Sequence, residues 1–321
     1  MNDMLDVKDR KILFELEQNS RQSLNQIARK VGLRKETVFY RMKKLEEDGI
    51  IKKYLTEIDV YKLGYQYYPL LLRFQNSTPE IEQEILDYLR RSKYIAWLTT
   101  CEGAWDVNAT LVASGNFALK AFAADFLEKY GEHISDKQFF ITTEIHYFKR
   151  GFWLNRKTNE QVTTGGEYLA KSDTTDLMLL KLLSTNARMP LVDIGAAFKT
   201  DAKNIAYRIK KLEKQKIIQG SRVLVDFSKL GYKYHKIWLS LRNVSKDNYI
   251  KMLAYFSDQP NIIWATRLIG CYDVSCEMEV RNTEEFRAVV SDIKAKFHHL
   301  IKKHESLLIF EETVMNYLPN V

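Results

Sequence analysis

The sequence predicts an α+β protein made of two tandem copies of one module. Each copy has three helices and a short strand, then a βαββαβ sheet domain. Three observations predict this. The stretch "YRMKKLEEDGIIKKY" at residues 40–54 returns as "YRIKKLEKQKIIQGS" at 207–221. Its flanks return at the same spacing: an offset of 167 residues pairs Asp9 with Asp176, Asn19 with Asn186, Arg21 with Arg188 and Ile27 with Ile194, and continues without a gap through Asp59 and Asp226 to Trp97 and Trp264. A period held through unrelated local patterns marks duplication of a whole folding unit. Within each copy, the apolar pattern then changes from helical spacing to alternating and continuous strand-like runs.

The elements follow in order. "DVKDRKILFELEQN" places Ile12, Leu13 and Leu16 on one helical face, with Asp6 or Asp9 near its start. "SLNQIARKVG" is a short second helix that buries Leu24, Ile27 and Val31, and Gly32 ends it. "RKETVFYRMKKLEEDG" is the third, with Val38, Met42 and Leu45 inward and Gly49 as its stop. Lys35, Thr37, Tyr40, Arg41 and Lys44 then point elsewhere. "IIKKYLTEID" alternates and is expected to be the wing that completes a winged helix-turn-helix over residues 1–58. A short helix, a tight turn and a basic amphipathic helix suit the major groove of DNA, where exposed side chains reach base edges and phosphates.

Residues 59–150 read as the sheet domain. "YYPLLLRFQ" is a strand. "TPEIEQEILDYLRRS" is a helix capped by Thr78 with Pro79 at its first position. "YIAWLTTC" and "AWDVNATLVA" are strands flanking the turn "CEGAW", "GNFALKAFAADFLEKYG" is a helix, and "DKQFFITTEIHYF" is the fourth strand. This order gives an antiparallel ferredoxin-like sheet with helices on one face. Its bare face is expected to pack face to face on another such sheet. Residues 151–171, polar with Gly165-Gly166, read as a linker. The second copy spans a helix-turn-helix at 172–226 and a sheet domain at 227–321.

Composition bounds the function. The net charge of +8 is unevenly placed: residues 1–58 carry 13 basic against 10 acidic residues, and 172–226 carry 10 against 6, whereas 59–150 carry 10 against 12. Local basicity in the two helical segments suits a polyanion partner. No apolar run approaches the roughly 18 residues of a membrane span, and the charged start argues against a signal peptide. Cys101, Cys271 and Cys276 lack metal-ligand spacing and read as small buried hydrophobes on strands in a reducing, cytoplasmic setting. Trp97, Trp105, Trp238, Trp264 and Tyr272 read as core.

The combined order resembles the Lrp/AsnC (feast/famine) family of transcription regulators. The resemblance is carried by "LDVKDRKIL", "YRMKKLEEDGIIKKY", "DVYKLGY" and "EGAWD", and in the second copy by "TTDLMLLKLL", "YRIKKLEKQKII", "DFSKLGY" and "IGCYD". It implies a sequence-specific DNA-binding regulator without enzymatic activity or cofactor. It also implies dimers or larger assemblies through the sheet domains, and a small effector such as an amino acid held between those domains. The family's glycine-x-x-aspartate turn maps onto Gly103 and Asp106, with Trp105, and onto Gly270 and Asp273, with Tyr272. The alternative reading of that turn is a hairpin that needs glycine for its dihedrals and aspartate for a side-chain bond.

For DNA, phosphate contacts are expected from Lys35, Lys44, Lys203 and Lys211. Base contacts are expected from Thr37, Tyr40, Arg41, Asn204, Tyr207 and Arg208. The copies differ: Lys199 stands where the first copy has Gly32, and Met189-Pro190 where it has Gln22-Ser23. These differences leave open whether the second motif reads DNA or is mainly structural. The layout also resembles sirohaem decarboxylases, which carry a His-x-Tyr-Asn type motif. The corresponding turns here, "EGAWDVN" and "IGCYDVS", have no histidine, and His133, His146, His235, His298, His299 and His304 lie elsewhere. A third possibility is an interaction protein that meets DNA through another factor.

Overall fold

The computed structural model describes residues 5–151, 154, 161–166 and 169–318. The chain forms two compact units that cut across the sequence order. One gathers Met1–Asp59, Phe148–Val162 and Ala170–Tyr232; the other gathers Val60–Tyr147, Thr163–Leu169 and Lys233–Val321. The two helical segments thus share one unit and the two sheet domains the other. No helix among the described residues is long and apolar enough to cross a membrane.

In the first unit, α1 (Val7–Gln18), α2 (Leu24–Val31) and α3 (Lys35–Glu47) are followed by strand β1 (Ile51–Ile58). Asp6 and Ser23 close capping boxes on α1 and α2, and Gly32 ends α2 at φ +69°. Ile12, Leu13, Leu16, Ile27, Val31, Val38, Met42 and Leu45 form the core, as the apolar spacing requires; Leu24 packs on it half-buried. The second copy repeats this with α6 (Thr174–Thr185), α7 (Leu191–Ala197), α8 (Ala202–Lys214) and β8 (Ile218–Val225).

The strands expected as wings have a different partner from the one a wing would have. β1 and β8 pair with each other, antiparallel, with Ile51 opposite Val225 and Ile58 opposite Ile218. Adding 167 to 51 and 58 gives 218 and 225, so the ribbon is reciprocal about a local two-fold axis. Other contacts repeat the symmetry. Ser20 N–H donates to Ser221 O (3.0 Å) and Ala187 N–H to Tyr54 O (2.8 Å). The Arg21 and Arg188 guanidiniums donate to Ala187 O and Ser20 O. The symmetry fails at one buried cluster. Glu17 pairs with Arg150 at 3.1 Å, and Glu57 lies 3.7 Å from Arg222. The second copy has Ser184 and Leu224 at the positions equivalent to the two glutamates.

In the second unit the first copy contributes β2 (Gln66–Phe74), α4 (Pro79–Arg91), β3 (Ile95–Gly103), β4 (Val107–Ala113), α5 (Asn116–Tyr130), β5 (Ile134–Phe139) and β6 (Ile141–Phe148). The fourth strand expected from "DKQFFITTEIHYF" is therefore two strands, parted at Phe140. The second copy contributes β9 (Lys233–Leu241), α9 (Lys246–Asp258), β10 (Ile262–Ile269), β11 (Val274–Val280), α10 (Thr283–Phe297) and β12 (Ile301–Met315).

The two sheets do more than face one another. Strand order is β5-β2-β4-β3-β12-β9-β11-β10-β6-β7. β12 pairs with its own β9 through Ile301–Ile309 and with β3 of the first copy through Leu307–Met315. Reciprocally, β5 pairs with β2, and after Phe140 the same run continues as β6 along β10 of the second copy. The last strand of each copy is shared between its own sheet and that of the other copy. The reason is length: a run of fifteen residues outreaches a nine-residue neighbour and extends into the next sheet. The stretch read as a linker, residues 151–171, lies partly outside the described residues; its described part includes strand β7 (Gln161–Thr164) at the sheet edge.

Each face has its own core. Leu70, Leu72, Leu98, Ala109 and Leu111 meet Ile85, Leu89, Phe122 and Phe126 of α4 and α5. The opposite faces meet through Leu71, Cys101, Trp105, Phe140, Trp238, Leu268, Tyr272 and Leu307, which are four pairs at the 167 offset. Cys101 and Cys276 are buried as expected. Cys271 is exposed in a turn, its thiol 2.7 Å from Gln138 Oε1. Trp97, Trp105, Trp238 and Tyr272 are buried, and Trp264 is half-buried with its ring 4.4 Å from that of Tyr147.

Candidate nucleic-acid interface

Packing decides which side chains of α3 remain available. Val38, Met42 and Leu45 fill the core. On the other side Lys35, Tyr40 and Lys44 are exposed, Tyr40 by 68%; Thr37 is half-buried. Arg41 turns back to α1. Its guanidinium donates to Asp6 Oδ2 at 2.7 Å and Asp9 Oδ1 at 2.8 Å. Asp6 is also the N-cap of α1. Burial pushes its carboxyl up, but the Asp9 N–H and the Arg41 guanidinium outweigh that and hold it below the usual carboxylate range.

The second motif keeps the geometry with different residues. Lys199 takes the place of Gly32 and adopts φ +52°, a left-handed conformation that costs a non-glycine residue about 1 kcal/mol. Asp201 caps α8 by accepting the Asn204 N–H at 2.7 Å. Lys203, Asn204 and Tyr207 are exposed, Tyr207 by 70%, and Asn204 Nδ2 donates to Thr200 Oγ1 at 3.1 Å. Arg208 donates to Asp173 Oδ2 (2.8 Å) and Asp176 Oδ1 (2.7 Å). The Arg208 guanidinium, with the Asp176 N–H, holds the Asp173 carboxyl below its usual range. Lys211, equivalent to exposed Lys44, donates to the fully buried Asp176 at 2.9 Å. A cavity of about 530 Å³ opens beside these groups, lined by Asp173, Phe198, Asn204, Tyr207, Arg208 and Lys211 among others.

The structure therefore sorts the ten residues. Lys35, Tyr40, Lys44, Lys203, Asn204 and Tyr207 lie exposed on the recognition helices, with Thr37 half-buried beside them. Arg41, Arg208 and Lys211 are tied to acidic side chains of the first helix of their own motif. Sequence reasoning missed those partners, although a signal existed: the Asp-x-x-Asp spacing of Asp6 and Asp9 recurs at Asp173 and Asp176.

The turn residues are placed by the strand exchange. A Cβ on Gly103 would lie 2.8 Å from Ser306 O, and one on Gly270 would lie 2.6 Å from Phe140 Cδ1. Asp106 Oδ2 accepts the Phe74 N–H and Asp273 Oδ2 the Leu241 N–H, each at 2.7 Å. Trp105 and Tyr272 are buried in the core between the sheets, and Trp105 Nε1 donates to Glu305 at 3.4 Å.

Comparison with known proteins agrees with this geometry. Residues 5–52 match a winged helix-turn-helix DNA-binding model, and residues 173–213 match the AsnC-type helix-turn-helix domain. An uncharacterised HTH-type transcriptional regulator of Pyrococcus furiosus is 30% identical over 142 residues, which is 44% of this chain and 94% of that protein. The transcriptional regulator AzlB of Bacillus subtilis is 32% identical over 136 residues, 42% of this chain and 80% of that protein. The crystal structure of the siroheme decarboxylase NirDL superposes with a TM-score of 0.64 at 12% identity, covering 97% of this chain and 94% of that one, a likeness of fold alone. With two helix-turn-helix motifs and relatives matched over most of their length, the chain belongs to the AsnC/Lrp family of DNA-binding transcriptional regulators.

Proposed function

We propose that this regulator reads DNA as a covalent pseudo-dimer, with two recognition helices addressing two non-identical half-sites of an inverted repeat. The observation that carries this is the reciprocal β1–β8 register, which relates the two motifs by a local two-fold axis. Two-fold related recognition helices call for half-sites in opposite orientation. The half-sites differ because the available residues differ: exposed Lys35, Tyr40 and Lys44 with half-buried Thr37 on one helix, exposed Lys203, Asn204 and Tyr207 on the other. Asn204 is suited to adenine, and the lysines to phosphates. Arg41, Arg208 and Lys211 act as braces that fix each recognition helix on its first helix. The Gly-x-x-Asp turns serve the strand exchange, since a Cβ on either glycine would strike the run shared from the other copy, at Ser306 O or at Phe140, and their aromatic residues are core.

The fold likeness to NirDL raises an enzymatic reading. Against it, the turns "EGAWDVN" and "IGCYDVS" lack the histidine of the decarboxylase motif, and Trp105 and Tyr272 are enclosed between the sheets. The test is selection of duplexes from a random pool by the full chain at about 150 mM salt, where weak non-specific binding is screened. An inverted repeat with unlike arms is the expected result. Recovery of bulk DNA only would overturn the proposal.

A further inference from the structure

Phe39 had no role in the sequence reading, and its placement is unusual. It lies on α3 beside Tyr40, with 57% of its surface exposed. It is absent from the core, which Val38, Met42 and Leu45 of the same helix supply. Among the described residues its ring stacks on no other. A large apolar side chain left in water on an otherwise polar helix face loses the burial that would favour it.

The surroundings identify what would cover it. Lys35 and Lys43, four residues before and after Phe39, share its side of the helix, as does Glu36 three residues before it, and Lys43 lies 3.5 Å from Glu47. Phe39 is thus an apolar centre among charged side chains on the recognition helix, the element that enters the groove. In the major groove, thymine is the base that presents an apolar group, its C5 methyl, between two rails of phosphate. The duplication supplies an internal contrast. The position equivalent to Phe39 is Ala206, on a helix that otherwise keeps Tyr207 in the place of Tyr40.

We propose that Phe39 is a specificity-determining residue that packs on a thymine methyl in the half-site read by α3, and that Ala206 leaves the other half-site without this contact. The inference rests on the DNA-reading function above. It adds a base identity to one half-site and gives the asymmetry of the operator a physical origin.

The experiment starts from the selected operator. Each thymine is replaced singly by deoxyuridine, which lacks only the C5 methyl, and competition binding is measured for the wild type, Phe39→Ala and Ala206→Phe. At one or two adjacent positions of one half-site, wild-type affinity should fall about fourfold, the factor matching ~0.8 kcal/mol for a buried methyl. Phe39→Ala should bind the thymine and deoxyuridine duplexes alike at those positions. Ala206→Phe should gain sensitivity at a thymine in the other half-site. Phe39 supports no core contact, so the unfolding midpoint of Phe39→Ala should match the wild type. Methyl sensitivity that survives in Phe39→Ala, or a wild type indifferent to every methyl, overturns the inference while leaving the regulator reading intact. Failure to select any site overturns that reading itself.

Discussion

Replacing Arg41 by alanine separates the two roles the residue could have. A base-reading arginine contributes about 1–3 kcal/mol to one specific site and nothing to folding. The brace proposed above makes its role one of folding. Its guanidinium makes two charge-assisted bonds, at 2.7 and 2.8 Å, with its own side chain 27% exposed and those of Asp6 and Asp9 51% and 17% exposed. The Asp6 arm is largely screened by solvent and contributes roughly 0.5 kcal/mol, and the more sheltered Asp9 arm about 1 kcal/mol. A loss near 1.5 kcal/mol moves a urea midpoint by about 0.7 M for a slope of about 2 kcal/mol/M. The assay is urea unfolding followed by tryptophan-independent far-UV circular dichroism, paired with binding to the operator and to each of its single-base variants. Arg41→Ala should unfold earlier, and any affinity loss should be uniform across the variants. An unchanged midpoint together with lost discrimination at one base pair would refute the brace.

Lys44→Ala should reduce the slope of log affinity against log salt by about one unit, as expected for one phosphate contact. Lys211→Ala should leave that slope unchanged and lower the unfolding midpoint instead, because Lys211 partners the fully buried Asp176. Equal salt slopes for the two variants would count against the assignment. Gly270→Ala should destabilise the protein by about 2 kcal/mol without any ligand, because the new Cβ would sit 2.6 Å from the Phe140 ring in a packed core; a wild-type unfolding midpoint would show that the glycine serves something else. Burial pushes the Glu57 carboxyl up to about 7, against the pull of Arg222 and Lys149. A carboxyl raised in the folded state holds its proton more tightly there, so its contribution is present below the ordinary glutamate range and is lost as pH rises through about 7. Wild-type stability should therefore fall more between pH 5.5 and 8 than that of Glu57→Gln, and equal declines in urea midpoint would refute this.

Local physics made much of the molecule legible in its residues. Helical spacing of Ile12, Leu13, Leu16, Val38, Met42 and Leu45 marked the core faces. Gly32 and the caps marked the ends, because a helix terminus is a matter of a few consecutive dihedrals and hydrogen bonds. The recurrence at 167 residues alone established the duplication and both recognition helices. Strand partners were a different matter. β1 has an alternating pattern that any neighbour could satisfy, and only the assembled chain shows that its partner is β8. The sharing of β12 between β9 and β3 likewise depends on where two sheets stop. Arg41 and Tyr40 are adjacent in sequence and both polar at their tips, yet one faces solvent and the other finds two carboxylates more than thirty residues away. Sequence by itself determined the modules, their helices and the chemistry on offer. Tertiary structure decided which of those groups stay available, because pairing and charge satisfaction are settled between residues the chain holds far apart.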